Sequence, residues 1–229
     1  MFSSVLETNP TLLRPGLRMR VSDLGRVGYA QGLELQRGLV DQRKRGEIPD
    51  QLLFLEHSHV VTMGRNGHDE NLLAGPDLLA RAGIEFHRTD RGGDVTYHGP
   101  GQIVGYPIFD LREWKRDVVV YVRGLEQMLI DALAEFGIDA ARLSGATGVW
   151  TPEGKIAAIG VHISRWVTSH GFALNLDTDL NFFGYIVPCG LTRPVTSMRA
   201  LGCAAGREDV LAALSRSFGR VFDREMERL

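Results

Sequence analysis

Gly148-Val149-Trp150-Thr151, then Pro152-Glu153-Gly154, then Lys155-Ile156-Ala157-Ala158-Ile159-Gly160-Val161-His162-Ile163-Ser164 reads as two β-strands about a tight turn. The proline and glycine punctuate the chain. The flanking runs are short, apolar and rich in β-branched residues, without the three-and-four spacing of a helix. Trp166 to Leu176 follows at once as a third run of the same kind. Successive strands with no helix between them make a β-meander, which excludes a strictly alternating βαβ chain.

Outward from this meander the pattern changes. Upstream, Val118, Val122, Leu125, Leu129, Ala132 and Phe136 recur at helical spacing, and Gly137 offers the left-handed stop that ends helices. Ile103 to Phe109 before it reads as a strand. Nearer the N-terminus, Leu17, Met19 and Val21 alternate with polar residues as a half-buried strand. Val27 to Arg45 reads as a helix with Val27, Ala30, Leu33 and Val40 on its inner face. Leu52 to Glu56, Val60 to Met63 and Ile84 to His87 read as short strands, with a short helix from Pro76 to Gly83. Downstream, a last helix starts near Glu208 with Leu211, Leu214, Phe218 and Val221 inward. The expected class is α+β, a mixed β-sheet with packed helices, in a single domain over residues 1–229. No linker-like tract or repeat interrupts it.

The 229 residues are 44% hydrophobic and 24% charged, with a net charge of −2. No global basic field would recruit nucleic acid. Clusters such as Arg43-Lys44-Arg45, or Arg112 with Lys115 and Arg116, read as solvated faces. No apolar run is long enough to span a membrane, and the N-terminal stretch, carrying Glu7, lacks the apolar core of a signal peptide. The two cysteines, Cys189 and Cys203, read as free thiols of a cytoplasmic protein.

Chemistry concentrates in Arg91-Gly92-Gly93-Asp94-Val95-Thr96-Tyr97-His98-Gly99-Pro100-Gly101-Gln102. Its glycines let the backbone approach a ligand closely, and a cation, a hydroxyl, a phenol and an imidazole lie among them. It is not a dinucleotide fingerprint: the glycine spacing is wrong and it leads into a strand rather than a helix. Gly148 to Lys155 likewise fails as a phosphate loop, because Ile156 follows the lysine where a hydroxyl is needed. His57 and His59, two apart on an expected strand, could face one metal, but no third ligand is near in sequence. His68, His87 and His162 carry no signal beyond their presence. Cys189, between Pro188 and Gly190, could be presented at a cleft, or be a small core residue. Cys203 has small apolar neighbours and suits the core. Lys155, bordering an apolar strand, would ordinarily snorkel at its edge.

Together these segments closely resemble the bacterial lipoyl(octanoyl) transferases. The resemblance runs in order from Glu56-His57 and Thr62-Met63-Gly64-Arg65, through Arg91 to Pro107, Lys155 with Ala158-Ile159-Gly160, and Ser169-His170-Gly171-Phe172-Ala173-Leu174-Asn175. It ends at Pro188-Cys189-Gly190-Leu191 and Val195-Thr196-Ser197-Met198. Met63 stands where that family often has Leu, and the first fifteen residues fall outside the pattern. The resemblance implies the fold of lipoate and biotin protein ligases and a Cys189–Lys155 dyad. Arg91, Gly92, Gly93, Asp94, Val95, Thr96, Tyr97, His98, Ala158, Ile159, Gly160, Gly171, Phe172 and Ala173 would line the acyl pocket and its entrance, with His170 in support. It also implies an octanoyl group moving from acyl carrier protein to a lysine of a lipoyl domain, in 2-oxoacid dehydrogenases or the glycine cleavage H protein. No metal, no cofactor, no nucleic acid and no membrane would be needed.

The chemistry is coherent. A thiol of pKa about 8.5 is mostly protonated at neutral pH, and a neighbouring ammonium favours the thiolate. An acceptor lysine of pKa about 10.4 must lose a proton before it can attack, and Lys155, once neutral, could take it. His98 and His170 could polarise the thioester carbonyl or orient the acceptor. The rival readings are an ATP-dependent lipoate or biotin ligase, an octanoyl amidotransferase working between lipoyl domains, and a non-catalytic acyl-binding protein.

Overall fold

Strand alternation sends successive side chains to opposite faces, so each strand of a large sheet must find two coverings. A computed structural model describes residues 17–187 and 193–228. The elements are β1 (Arg18–Arg26), α1 (Tyr29–Lys44), β2 (Asp50–Glu56), β3 (Val60–Met63), α2 (Pro76–Arg81), β4 (Glu85–Arg88), β5 (Val95–His98), β6 (Gln102–Ile108), α3 (Val118–Ala134), β7 (Ala141–Leu143), β8 (Ala146–Thr151), β9 (Gly154–Ser164), β10 (Val167–Asn175), α4 (Arg207–Phe222) and β11 (Glu225–Arg228). Eight strands form one sheet in the order β11-β1-β2-β6-β10-β9-β8-β7, and β4-β3-β5 form a second. β1 runs parallel to β2 and β11 and β3 parallel to β4, while the other pairs are antiparallel. The sheet is mixed and the helices are inserted between strand runs, as expected of an α+β chain.

One face of the large sheet buries Phe54, Ile103, Phe172 and Leu174 against Leu125, Met128 and Leu129 of α3 and Leu214 and Phe218 of α4. The opposite face presents Leu53, Leu55, Val104, Tyr106 and Ala173, with Val27 and Leu39 packed against them from the α1 side. Alternate residues of β2, β6 and β10 thus serve two different cores. The small sheet has its own core of Val61, Met63, Val95 and Tyr97 with Leu79 of α2 and Phe183.

Several expectations are corrected. The buried side of α1 carries Tyr29, Gly32, Gln36, Val40 and Arg43, whereas Ala30 is exposed and Val27 precedes the helix. Val40 is buried as expected, but the helix also seats polar Gln36 and Arg43 on the sheet, which hydrophobic periodicity does not show. Arg43 is therefore no solvated residue. Its guanidinium meets Asp50 at 2.8 Å, Asp110 at 3.5 Å and Glu113 at 2.5 Å, while Arg224 takes the other oxygen of Asp50 at 2.8 Å. Buried charges persist where such pairing offsets their lost hydration. In α3 the stripe is Tyr121, Leu125, Met128, Leu129, Ala132 and Leu133, and Val118, at the helix start, is exposed. His57 and His59 lie in the β2–β3 connection rather than on a strand. Among the described residues, no helix is long and apolar enough to cross a membrane.

Candidate active site

β9 carries an irregularity that sets the site. Trp150 pairs with Lys155 and Val149 with Ala157, so one extra residue, Ile156, is accommodated on β9. A bulge of this kind re-aims the side chains beside it. Ile156 and Ala157 both enter the core beneath the sheet, while Lys155 shares a cavity with Ala158 and Gly160 on the α1 side. The lysine is 7% exposed, and its ammonium stands 5.2 Å from the centre of the Trp150 ring. It is a buried wall residue, not a snorkelling edge residue. Its backbone is tied to the chain that follows the Cys189 segment: Lys155 N–H donates to Pro194 O at 2.9 Å and Thr196 N–H to Lys155 O at 2.9 Å.

The cavity is narrow, about 50 Å³, and opens to solvent at its mouth. Its floor consists of small residues of β9 and β10: Ala158, Gly160, Gly171 and Ala173. The glycines are sterically required there. A Cβ on Gly171 would come within 2.2 Å of Gly105 O, and one on Gly160 within 2.8 Å of Gly92 O. Arg91, Gly93, Asp94, Val95, Thr96 and His98 supply the facing wall, Ile159, Phe172 and His170 complete the sheet side, and Tyr29 and Tyr106 close it.

Two expected lining residues are not there. Tyr97 alternates away from Thr96 and His98 on β5 and points into the small sheet's core. Its ring stacks on Phe182 at 5.3 Å, and its hydroxyl pairs with His59 Nδ1 at 2.8 Å. Gly92 instead pins the loop to β9, its N–H donating to Val161 O at 2.8 Å. The segment from Arg91 to Gln102 is thus partly strand, β5 occupying Val95–His98. Tyr29 and Tyr106 escaped the sequence reading, because each sits in an element whose other residues read as ordinary core.

Hydrogen bonds fix the wall. The Arg91 guanidinium donates to Thr62 O at 2.8 Å and to Thr62 Oγ1 at 2.9 Å, joining the loop to β3. Asp94 accepts from the N–H groups of Val95 and His68 and from the Asn71 amide, closing the turn. His57 is buried between Val27 O, which accepts from Nδ1 at 2.7 Å, and the Tyr106 hydroxyl, which donates to Nε2 at 2.7 Å. With these different partners His57 and His59 do not converge, and among the described residues no group of three or more His, Cys, Asp or Glu could hold a metal.

Burial pulls the His98 imidazole down to about 3 and lowers that of His57, so both are neutral at pH 7. Burial likewise raises the phenols of Tyr29 and Tyr106. His170 donates from Nε2 to Asp90 at 2.9 Å, and this hydrogen bond holds the Asp90 carboxyl well below the usual range. His170 has φ +55°, unusual for a side-chain-bearing residue in a strand. The cause lies opposite. The β6–β10 register that pairs Phe172 with Gly105 and Val167 with Asp110 places His170 across from Pro107, which has no N–H to give. Thr168 Oγ1 takes the Pro107 carbonyl at 2.7 Å, and the His170 N–H turns to Gln36 Oε1 at 2.6 Å. Cys189 lies outside the described residues. Cys203 is half-buried against the main core.

Residues 28–219 match the family model described as the lipoyl protein ligase A/B catalytic domain. A protein named octanoyltransferase from Solibacter usitatus (strain Ellin6076) is 65% identical over 203 residues, covering 89% of this chain and 92% of its own length. A second so named, from Koribacter versatilis (strain Ellin345), is 54% identical over 215 residues, covering 91% and 86%. In fold, the chain is similar to a Thermoplasma acidophilum structure described as a putative lipoate protein ligase with bound lipoic acid. Identity is 18%, with a TM-score of 0.72 and coverage of 93% and 89%. Biotin protein ligase from Aquifex aeolicus aligns at 11% identity with a TM-score of 0.51, covering 90% and 68%. The chain therefore belongs to the lipoyl protein ligase A/B catalytic domain family, within it to the octanoyltransferases, and is an acyltransferase.

Proposed function

We propose that the chain, as one catalytic unit, moves an octanoyl group from acyl carrier protein to a lysine of a lipoyl domain in lipoate biosynthesis. Such domains occur in 2-oxoacid dehydrogenases and the glycine cleavage H protein. Cys189 is the nucleophile. Its thiolate attacks the carrier thioester, the carrier thiolate leaves and takes the Lys155 ammonium proton, and the octanoyl group is held as a Cys189 thioester while Lys155 is left neutral. The acceptor amine then attacks that carbonyl, an amide forms, and the cysteine thiol is released. Lys155 stabilises the thiolate in the first step and takes the ammonium proton in the second. The acyl chain lies over Ala158, Gly160, Gly171 and Ala173, against the wall from Arg91 to His98. A cytoplasmic setting, where thiols stay reduced, suits a cysteine nucleophile.

The observation that carries this reading is the position of Lys155. It is a buried ammonium-bearing side chain on the wall of a cavity floored by alanine and glycine, hydrogen-bonded through its backbone to Pro194. Cys189 precedes Pro194 by five residues, a span of at most about 17 Å. The test is incubation with octanoyl carrier protein and an unmodified lipoyl domain, read by mass spectrometry, beside a reaction given free octanoate and ATP. Octanoylated lipoyl domain in the first reaction alone supports the transferase. Product in the second alone would make the chain a ligase.

A further inference from the structure

A directed chain of hydrogen bonds runs from the segment beside Lys155 to the cavity wall. Thr196, whose N–H donates to Lys155 O at 2.9 Å, offers its carbonyl to the Asn175 amide nitrogen at 2.9 Å. That leaves Asn175 Oδ1 as the acceptor for Gln102 Nε2 at 2.9 Å, and the same nitrogen reaches Tyr97 O at 3.3 Å. Gln102 Oε1 therefore faces His98 Nδ1 at 2.7 Å as an acceptor. Each amide orientation is imposed by the one before it, starting from a backbone carbonyl that can only accept.

The consequence falls on His98. Its Nδ1 must carry the proton, so Nε2 holds a bare lone pair. Burial, the neighbouring His57 and Arg91 keep the ring from taking a second proton. Among the described residues Nε2 has no hydrogen-bond partner, although the side chain is 7% exposed and lines the cavity with Lys155. Tyr106 points the same way chemically. Its only proton goes to His57 Nε2, so toward any further partner its oxygen is an acceptor.

A bare imidazole nitrogen cannot donate to a thioester carbonyl or stabilise an oxyanion, which needs N–H or O–H groups. It can accept from an amine. We propose that His98 Nε2, with the Tyr106 oxygen that lines the same cavity, is the subsite for the primary amine of the acceptor lysine, turning its nitrogen lone pair toward the acyl carbonyl. His98 is a substrate-orienting group of the second half-reaction, and in the first it is only part of the pocket wall. This rests on the two-step reading above.

The test separates the half-reactions. In single-turnover experiments His98→Ala should slow acylation of Cys189 from octanoyl carrier protein far less than it slows the second step. Transfer from the acyl-enzyme to the lipoyl domain should slow by about tenfold, the scale of one hydrogen bond between neutral groups. His98→Gln, which can still offer an oxygen lone pair, should recover part of that loss. Equal loss in both steps, or loss in the first alone, would overturn the proposal, since a merely structural His98 would not discriminate between them. Absence of any acyl-enzyme in the wild type would sink the two-step reading instead. A second measurement needs no variant: ¹⁵N spectra of imidazole-labelled wild-type protein should show His98 neutral with its proton on Nδ1. A proton on Nε2 would rule the assignment out.

Discussion

Gly148 leaves empty the space that the Lys155 side chain fills: a Cβ there would lie 2.6 Å from Lys155 Cε and 2.6 Å from Ala157 O. The backbone at Gly148 has φ +120°, a conformation that side-chain-bearing residues rarely adopt, and its N–H donates to buried Glu126 at 3.1 Å. Gly148→Ala should therefore push the lysine from its position and strain β8. Transfer should fall by at least about tenfold, and the melting temperature should drop by several degrees, as for a loss of about 1–3 kcal/mol. Wild-type transfer by a folded Gly148→Ala protein would show that the position of Lys155 is not critical.

Lys155 itself should tolerate no replacement. Lys155→Ala should retain its fold and lose transfer by about a hundredfold or more, the range of a missing acid–base group. Lys155→Arg should not restore full rate, because a guanidinium keeps its proton and is bulkier than the groove over Gly148 allows. An arginine variant as fast as wild type would reduce Lys155 to an electrostatic partner.

The two cysteines should divide cleanly. Octanoyl carrier protein alone should leave one hydroxylamine-labile octanoyl group on Cys189 and none on Cys203, which is half-buried against the main core. Cys189→Ala should abolish adduct and transfer, while Cys203→Ala should spare both. Peptide mapping by mass spectrometry reads the outcome. Label on Cys203, or turnover without Cys189, removes the thioester intermediate from the mechanism.

Stability should fall on mild acidification. His98 and His57 are held neutral by burial in the folded state, His98 down to about 3, whereas in the unfolded chain they take protons near 6.5. Below pH 6.5 the unfolded state binds more protons, so stability present above that pH is lost as pH drops toward 3, by up to about 1.4 kcal/mol per pH unit for His98, and His57 acts in the same direction. Asp90, whose carboxyl is lowered, adds its loss only below about pH 4. Partly exposed His162, also lowered by burial, acts in the same direction. Urea midpoints at pH 7, 6 and 5 should decline in wild type and decline less steeply in His98→Gln. An unchanged slope in the variant would mean that His98 is protonated in the fold.

The sequence by itself determined the strands and turns of the meander, the helices α3 and α4, the α+β class, and the clustering of chemistry between Arg91 and Gln102. These are local matters: period-two alternation, helical spacing and glycine–proline punctuation act over a few residues. Tertiary structure decided what depends on a partner far along the chain. α1 turns Gln36 and Arg43 to the sheet because His170 and Asp50 wait there for them. β11, Glu-Met-Glu-Arg, is a strand only because β1 offers it an edge to pair with. β5 was hidden because Thr96 and His98 face the cavity while Tyr97 faces a core. His170 adopts its left-handed backbone because Pro107 lies across the sheet, and the tautomer of His98 is set by an amide chain that begins at Thr196. Backbone hydrogen bonds and side-chain register across a sheet join residues distant in sequence, and no local pattern records which they will be.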